Sequence, residues 1–355
     1  DLWLFHDLTR SCGMANVLRH FGDKTVIGAL YRDTVPLAPG GDKTDKRGVM
    51  KIGFMLPVMG AMATRENMVG MAEMAEARGF ESIWVPDHVI MPTRIESTYP
   101  YTKSGGFIAD PKGDHLEPFT SLAFVAACTE RVRLGFSVMV APYRHPVVTG
   151  KMMAAIDVLS NGRLDVGVGA GWLNEEFEAL GVAPERKWVR TEEYIRIWKE
   201  LWTAEEPEYD GEFHSFSHVQ CRPQPMQKPH PPITIGGNGN ACFQRVVALA
   251  DGWQVVSEAP NDVYSLGGDL TTALAELHRV AESAGRDPHT IEVSAVIIAG
   301  TAEGVLRDLP QYERIGVTRL ILDFPSFVSD IDEMIEILEK IAAEAAMERP
   351  NTGPA

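Results

Sequence analysis

The sequence predicts a (β/α)8 barrel, and three observations carry that prediction. Eight short apolar segments recur between residues 50 and 325. Amphipathic stretches of helical period alternate with them, the pattern of a parallel sheet covered by helices. The first segment runs into Leu56-Pro57-Val58-Met59-Gly60, not the GxGxxG turn that opens a doubly wound open sheet.

Strand one is Lys51–Leu56. Thr64 caps the first helix, whose apolar face is Met68, Met71, Ala72, Ala75 and Gly79. Strand two is Ser82–Pro86. A Gly/Pro/Tyr-rich stretch from Met91 to Pro118 forms a first insertion over the barrel mouth. Helix two covers Phe119–Thr129, strand three Val132–Met139, helix three Pro146–Leu159 and strand four Arg163–Val168. A helix over Glu192–Trp202 precedes a second insertion, Tyr209–Pro225, which reads as a hairpin before strand five. Strands five to eight are Ile233–Ile235, Trp253–Val256, Ile291–Ile298 and Arg319–Asp323, with a helix over Leu270–Ala284 between six and seven. Ser329 caps the last helix, which buries Ile331, Met334, Ile335, Leu338 and Ile341. No internal repeat of solenoid period occurs.

Residues 1–49 lack a sustained period and end in the polar run Gly40–Gly48. Met50 is read as the natural start, and residues 1–49 as an appendage or over-extended translation. The alternative is an arm packed on the barrel. The barrel itself is assigned to residues 50–346 and a tail to 347–355.

A net charge of −16 argues against nucleic-acid binding through the overall field, and any anionic ligand needs local groups to hold it. Cys12, Cys128, Cys221 and Cys242 form no CxxC pair, which reads as reduced thiols in the cytoplasm. No apolar run is long enough for a transmembrane helix, and residues 1–7 lack the pattern of a signal peptide.

Barrel active sites lie at the C-terminal ends of the strands, which singles out four places. Asp87-His88 follows strand two. A histidine there, under a long loop, can act as general base or acid near neutral pH. Neighbours in an extended chain point opposite ways, so one faces the pocket and the other anchors the loop. The alternative is two polar residues that cap the strand. Ser137 to Pro142, with Val138 and Met139, leaves strand three as a floor for a flat ring, or as ordinary core and turn. Gly167-Val168-Gly169-Ala170-Gly171-Trp172 leaves strand four, where glycines admit a ligand close to the backbone. Gly236-Gly237-Asn238-Gly239 leaves strand five for a helix whose N–H groups suit a phosphate, or simply makes a tight turn.

Other features read as bland. His214 and His218 lie in a strand-like stretch without HExxH, so no zinc site is predicted. Glu175-Glu176 and Glu205-Glu206 read as solvated acidic faces. GxSxG and P-loop motifs are absent from the sequence.

The ordered set Tyr143-Arg144-His145-Pro146, Leu159–Trp172, Glu175–Val182, Arg190–Tyr194, Pro231–Gly237 and Ala250–Trp253 resembles the luciferase-like monooxygenase superfamily. The match runs through most of residues 50–325. The resemblance implies a (β/α)8 barrel binding FMN or the deazaflavin coenzyme F420 at the strand ends. Asp87-His88 is similar to the F420-dependent branch, in which a histidine at the place of His88 acts as base on an alcohol substrate. The family's non-prolyl cis peptide, under the deazaflavin ring, maps to Ser137-Val138. Asp87, Met139, Gly169, Ala170 and Gly171 fall on the coenzyme side, and Tyr194 and Gly236-Gly237-Asn238 become phosphate or ribityl candidates. A homodimer is implied as well.

The chain departs from the sugar-phosphate dehydrogenases of that branch. Trp172 stands where they carry an acidic residue, and Pro92 about where they carry a tryptophan, which argues against a sugar phosphate. The anionic tail of F420 would need a basic rim, for which Arg144 and Lys151 are candidates. The leading expectation is hydride transfer between F420 and a small organic substrate, with His88 moving the proton. The rivals are an FMN-dependent monooxygenase fed by a separate reductase and a non-catalytic flavin-binding barrel.

Overall fold

A computed structural model describes residues 50–102, 104–107, 110–259, 262–263, 269–298, 300–324 and 330–345. The expectations for residues 1–49, for the tail 347–355 and for a cap at Ser329 lie outside the described residues.

The described strands are β1 (Lys51–Met55), β2 (Ser82–Val85), β3 (Arg133–Phe136), β4 (Met139–Val140), β5 (Leu164–Gly169), β6 (Tyr209–Asp210), β7 (Ser215–Phe216), β8 (Ile233–Gly236), β9 (Gly252–Ala259), β10 (Asp262–Val263), β11 (Glu292–Ile298) and β12 (Arg319–Asp323). Eight of them close a parallel barrel in the order β1-β2-β3-β5-β8-β9-β11-β12, and β12 pairs back onto β1 through Arg319 and Lys51. Chain order and ring order coincide, as βα units joined by outer helices require. β5 and β2 are buried along their whole length, which fits their largely apolar sequence, and the buried Asp165 of β5 is met by Arg133.

Strand three differs from the expected single run. It breaks after Phe136, and β4 resumes at Met139 to pair with Val168 and Gly169 of β5. Between them the Ser137-Val138 peptide is cis, where the resemblance placed it. The expected hairpin is present as β6–β7, with Tyr209 opposite Phe216.

The described helices are α1 (Arg65–Arg78), α2 (Pro118–Ala126), α3 (Pro146–Leu159), α4 (Asn174–Ala179), α5 (Lys187–Thr203), α6 (Asn240–Leu249), α7 (Leu270–Ser283), α8 (Ala302–Ile315) and α9 (Ile331–Glu344). Thr64 caps α1 by accepting from Asn67 N at 3.2 Å, and Gly79 ends it at φ +85°. Helix α2 stops at Ala126, short of the expected Thr129. The buried Arg163 guanidinium takes its place, donating to the carbonyls of Ala126, Thr129 and Val132 at 3.1, 2.8 and 2.6 Å. Asp330 caps α9 through Asp332 N. Met334, Leu338 and Ile341 are its buried residues, while Ile331 and Ile335 are only partly covered. Helices α4 and α8 go beyond the expected set: α4 is a short run of six residues, and α8 carries Pro310 inside it.

At the N-terminal end of the barrel, charges plug the floor. Arg319 is 3% exposed and donates to both oxygens of Glu81 at 2.9 and 3.0 Å and also to Glu292. Arg133 grips Asp165 at 2.7 and 2.8 Å. Burial opposes the Glu81 charge, but Arg319 outweighs it and holds the carboxyl down at about 2.

Candidate active site

The C-terminal strand ends surround a cavity of about 970 Å³, within the usual size range of ligand sites. Its wall on the β3–β8 side is built by one side chain. Val138 projects from the cis peptide between the ends of β5 and β8. A Cβ on Gly169 would stand 2.6 Å from Val138 Cγ2, and one on Gly236 would stand 2.8 Å from Val138 Cγ1. The two glycines are therefore required by a stiff β-branched neighbour, and they leave backbone facing the cavity. Gly171 adopts φ +81°, and Ala170 is buried beside it. All five residues line the cavity, as do Ser137 and Gly237. Ser137 Oγ donates 3.0 Å to Gln254 Oε1, while Gln254 Nε2 is buried at the cavity with no hydrogen-bond partner among the described residues.

Asp87 and His88 both line the cavity, which departs from the expected split into one pocket residue and one loop anchor, and they differ in their partners. The fully buried Asp87 carboxylate accepts from Val140 N at 2.9 Å and from both terminal nitrogens of Arg144 at 2.8 and 2.9 Å. It thereby ties the exit of β2 to β4. Arg144 also reaches Glu117 at 2.8 Å and lies over the Phe119 ring. Its charge is spent, so the expected basic rim does not include it. Lys151 donates to the Arg222 carbonyl and is not among the cavity-lining residues. A cation that was not anticipated stands closer: Lys187 Nζ donates 2.7 Å to Gly171 O.

His88 lines the cavity, and its Nδ1 lies 2.8 Å from Glu176 Oε2. This overturns the reading of Glu175-Glu176 as a solvated face. Glu176 is fully buried, and its other oxygen accepts from the backbone N–H groups of Val89 and Ile90 at 2.6 and 3.1 Å. Glu175 does the same for Glu96 and Ser97 at 2.6 and 2.8 Å. Two adjacent carboxylates on α4 thus pin both ends of the segment after His88. With Glu176 as acceptor, Nδ1 carries the proton and Nε2 is left for the cavity. Glu205 and Glu206 are exposed, as expected.

Above His88 the first insertion supplies an aromatic cluster. Tyr99, Phe107 and Trp172 pack with ring centroids 5.0–5.4 Å apart, and Tyr101 joins at 5.5 Å. His88 stands edge-on to Phe107 at 5.3 Å.

Three expected residues are not among those lining the cavity. Met139 is core. Tyr194 is buried against Trp198 and His214. Asn238 lies one residue beyond the lining Gly237. Conversely, Asp323, Trp188 and Gln254 line it without having been singled out. Asp323 ends strand eight, so the strand-end rule that selected Asp87-His88 points to it equally. Burial pushes its carboxyl up to about 7. Among the described residues no helix is long and apolar enough to cross a membrane, and no cluster of His, Cys, Asp and Glu could hold a metal ion.

The chain has known relatives. An uncharacterised protein of Mycobacterium tuberculosis is 32% identical over 276 residues, 78% of this chain and 92% of that one. The FMNH2-dependent dimethylsulfone monooxygenase of Pseudomonas putida is 27% identical over 66% of this chain and 58% of its own. A solved F420-dependent secondary alcohol dehydrogenase, in complex with an F420-acetone adduct, superposes over 85% of this chain and all of its own, with a TM-score of 0.65 at 17% identity. That last likeness is one of fold. The family model described as luciferase-like monooxygenase matches residues 50–349, from the first barrel strand past the last helix, and the chain belongs to that family.

Proposed function

We propose that this protein is an F420-dependent oxidoreductase acting on a small organic substrate. The observation that carries the reading is the pairing of a flat, side-chain-poor wall with an oriented histidine in one cavity. Val138 with Gly169 and Gly236 leaves room for a tricyclic ring that any Cβ at those glycines would disturb. The residues present therefore suit a flavin or deazaflavin. When bound, F420 supplies a two-electron hydride donor or acceptor. Asp87, Ser137, Gly169, Ala170, Gly171, Gly236 and Gly237 would border it, and Lys187 offers local positive charge near Gly171.

His88 has a proton to give or take. Its Nε2 faces the cavity and exchanges the substrate's hydroxyl proton, while Glu176 fixes the tautomer and stabilises the imidazolium that forms. The aromatic cover keeps water from the reacting atoms.

The sequence similarity to an FMNH2-dependent monooxygenase favours a second reading, FMN chemistry supported by a separate reductase. One assay pair tests both. Wild-type protein is screened over a panel of alcohols and carbonyls, following F420 absorbance in either direction. Oxygen uptake is measured in parallel with FMNH2. Turnover with F420 that falls in His88→Ala supports the proposal; oxygen uptake with FMNH2 and no F420 turnover replaces it with the second reading.

A further inference from the structure

The described residues lining the cavity include four that titrate, Asp87, His88, Asp110 and Asp323, and neither lysine nor arginine is among them. Asp87 is neutralised in place by Arg144. Asp110 is exposed at the rim and accepts from Lys112 N at 2.9 Å. Asp323 differs from both. It has no ion pair among the described residues and accepts a hydrogen bond from the Phe324 backbone N–H; Ile298 is its register partner on β11, and Val296, Phe324 and Met334 line the same cavity.

Its position is also informative. In the ring of eight strands, β12 stands four places from β5 in either direction. Asp323 therefore faces the Val138 wall from across the barrel, with β1 between it and the exit of β2 that carries His88. A desolvated carboxylate among apolar groups is unfavourable unless a counter-charge meets it. The aromatic faces of Tyr99, Tyr101, Phe107 and Trp172 attract cations as well, and an overall charge of −16 raises the local concentration of cations at such a mouth.

We propose that this side of the cavity binds an organic substrate bearing a positively charged nitrogen, with Asp323 as its counter-ion. The assignment of this space to substrate rests on the coenzyme reading above, which places the ring on the Val138 wall. Asp323 is thus a specificity residue, and an anionic substrate is disfavoured.

The test is direct binding to the full chain without coenzyme, so that a choice between F420 and FMN does not enter. Three matched probes are titrated calorimetrically at about pH 8.5, where Asp323 is ionised: benzyltrimethylammonium, benzyl alcohol and benzoate. The expected result is that the ammonium probe binds at least about tenfold more tightly than benzoate. Asp323→Asn removes that preference and leaves benzyl alcohol unchanged, while Asp323→Glu retains it. A cooperative melt of each variant checks folding. Equal or tighter binding of benzoate, an unchanged ammonium affinity in Asp323→Asn, or no ammonium binding up to about 10 mM would each overturn the proposal. Failure of F420 to bind, with the ammonium preference intact, would instead strike the coenzyme reading alone.

Discussion

The two ends of the barrel are built on opposite electrostatic plans. At the floor, Arg319 meets Glu81 and Glu292, Arg133 meets Asp165, and Lys51 meets Glu292 at 3.1 Å. At the mouth, Asp323 and the Gln254 amide nitrogen face the cavity without such partners among the described residues. The mouth also contains a second kind of polar group, which is fully paired but serves as scaffold. Asp87 ties β2 to β4, and Glu176 holds His88. Thus pairing at the floor closes a core, pairing behind the mouth fixes geometry, and the groups without a counter-charge face the cavity. That division agrees with the rule that barrels keep stability at one end and chemistry at the other.

The largest expected effect tests the floor. Arg319→Ala leaves the partly buried Glu81 without its cation, while Glu292 keeps Lys51, a loss of about 3 kcal/mol. Its melting temperature should fall sharply while coenzyme affinity at low temperature is unchanged. A parallel loss of affinity would show that the ends are not independent.

The converse variant is His88→Ala, which should lose about a hundredfold to ten-thousandfold in turnover with little change in coenzyme affinity or melting temperature. Glu176→Gln sharpens the point, because it presents an amide N–H to His88 Nδ1 and reverses the favoured tautomer. Turnover should fall and its pH profile should change shape; a merely structural glutamate would leave the profile in place.

Gly236→Ala sets a Cβ against Val138 and should weaken coenzyme binding by about tenfold. Adding Val138→Ala makes room for that Cβ, so a partial recovery in the double variant is the signature of direct coupling.

The smallest effect concerns Asp323. Its folded carboxyl lies near 7 and an unfolded one near 3.8, so the folded state binds the proton more tightly. Stability from this group is therefore lost as pH rises between those values. Asp323→Asn should melt a few degrees above wild type at about pH 8, with the gap narrowing as pH falls toward 4.

The same contrast explains what could be read from sequence. The barrel was legible because apolar strands and helical faces repeat along the chain. Asp87 and His88 have different partners, Arg144 and Glu176, but both line the cavity, so alternation did not decide which one faces it. Glu176 was not legible: nothing in a Glu-Glu pair indicates that it closes on a histidine 88 positions earlier. Arg144 looked like a free cation for the same reason, since its partner Asp87 is 57 residues away. The cis peptide was placed by resemblance, whereas the reason for Gly169 and Gly236 appears only once Val138 is seen between two strand ends. Asp323 was within reach of the strand-end rule, but an apolar strand ending in aspartate also reads as a simple turn.

The most direct measurement is a pair of fluorescence-quenching titrations of the full chain, one with F420 and one with FMN. The account predicts saturable binding of F420 at roughly micromolar concentration, weaker binding of FMN, and loss of the F420 signal in Gly236→Ala. Tighter binding of FMN, or F420 binding indifferent to Gly236, would contradict it.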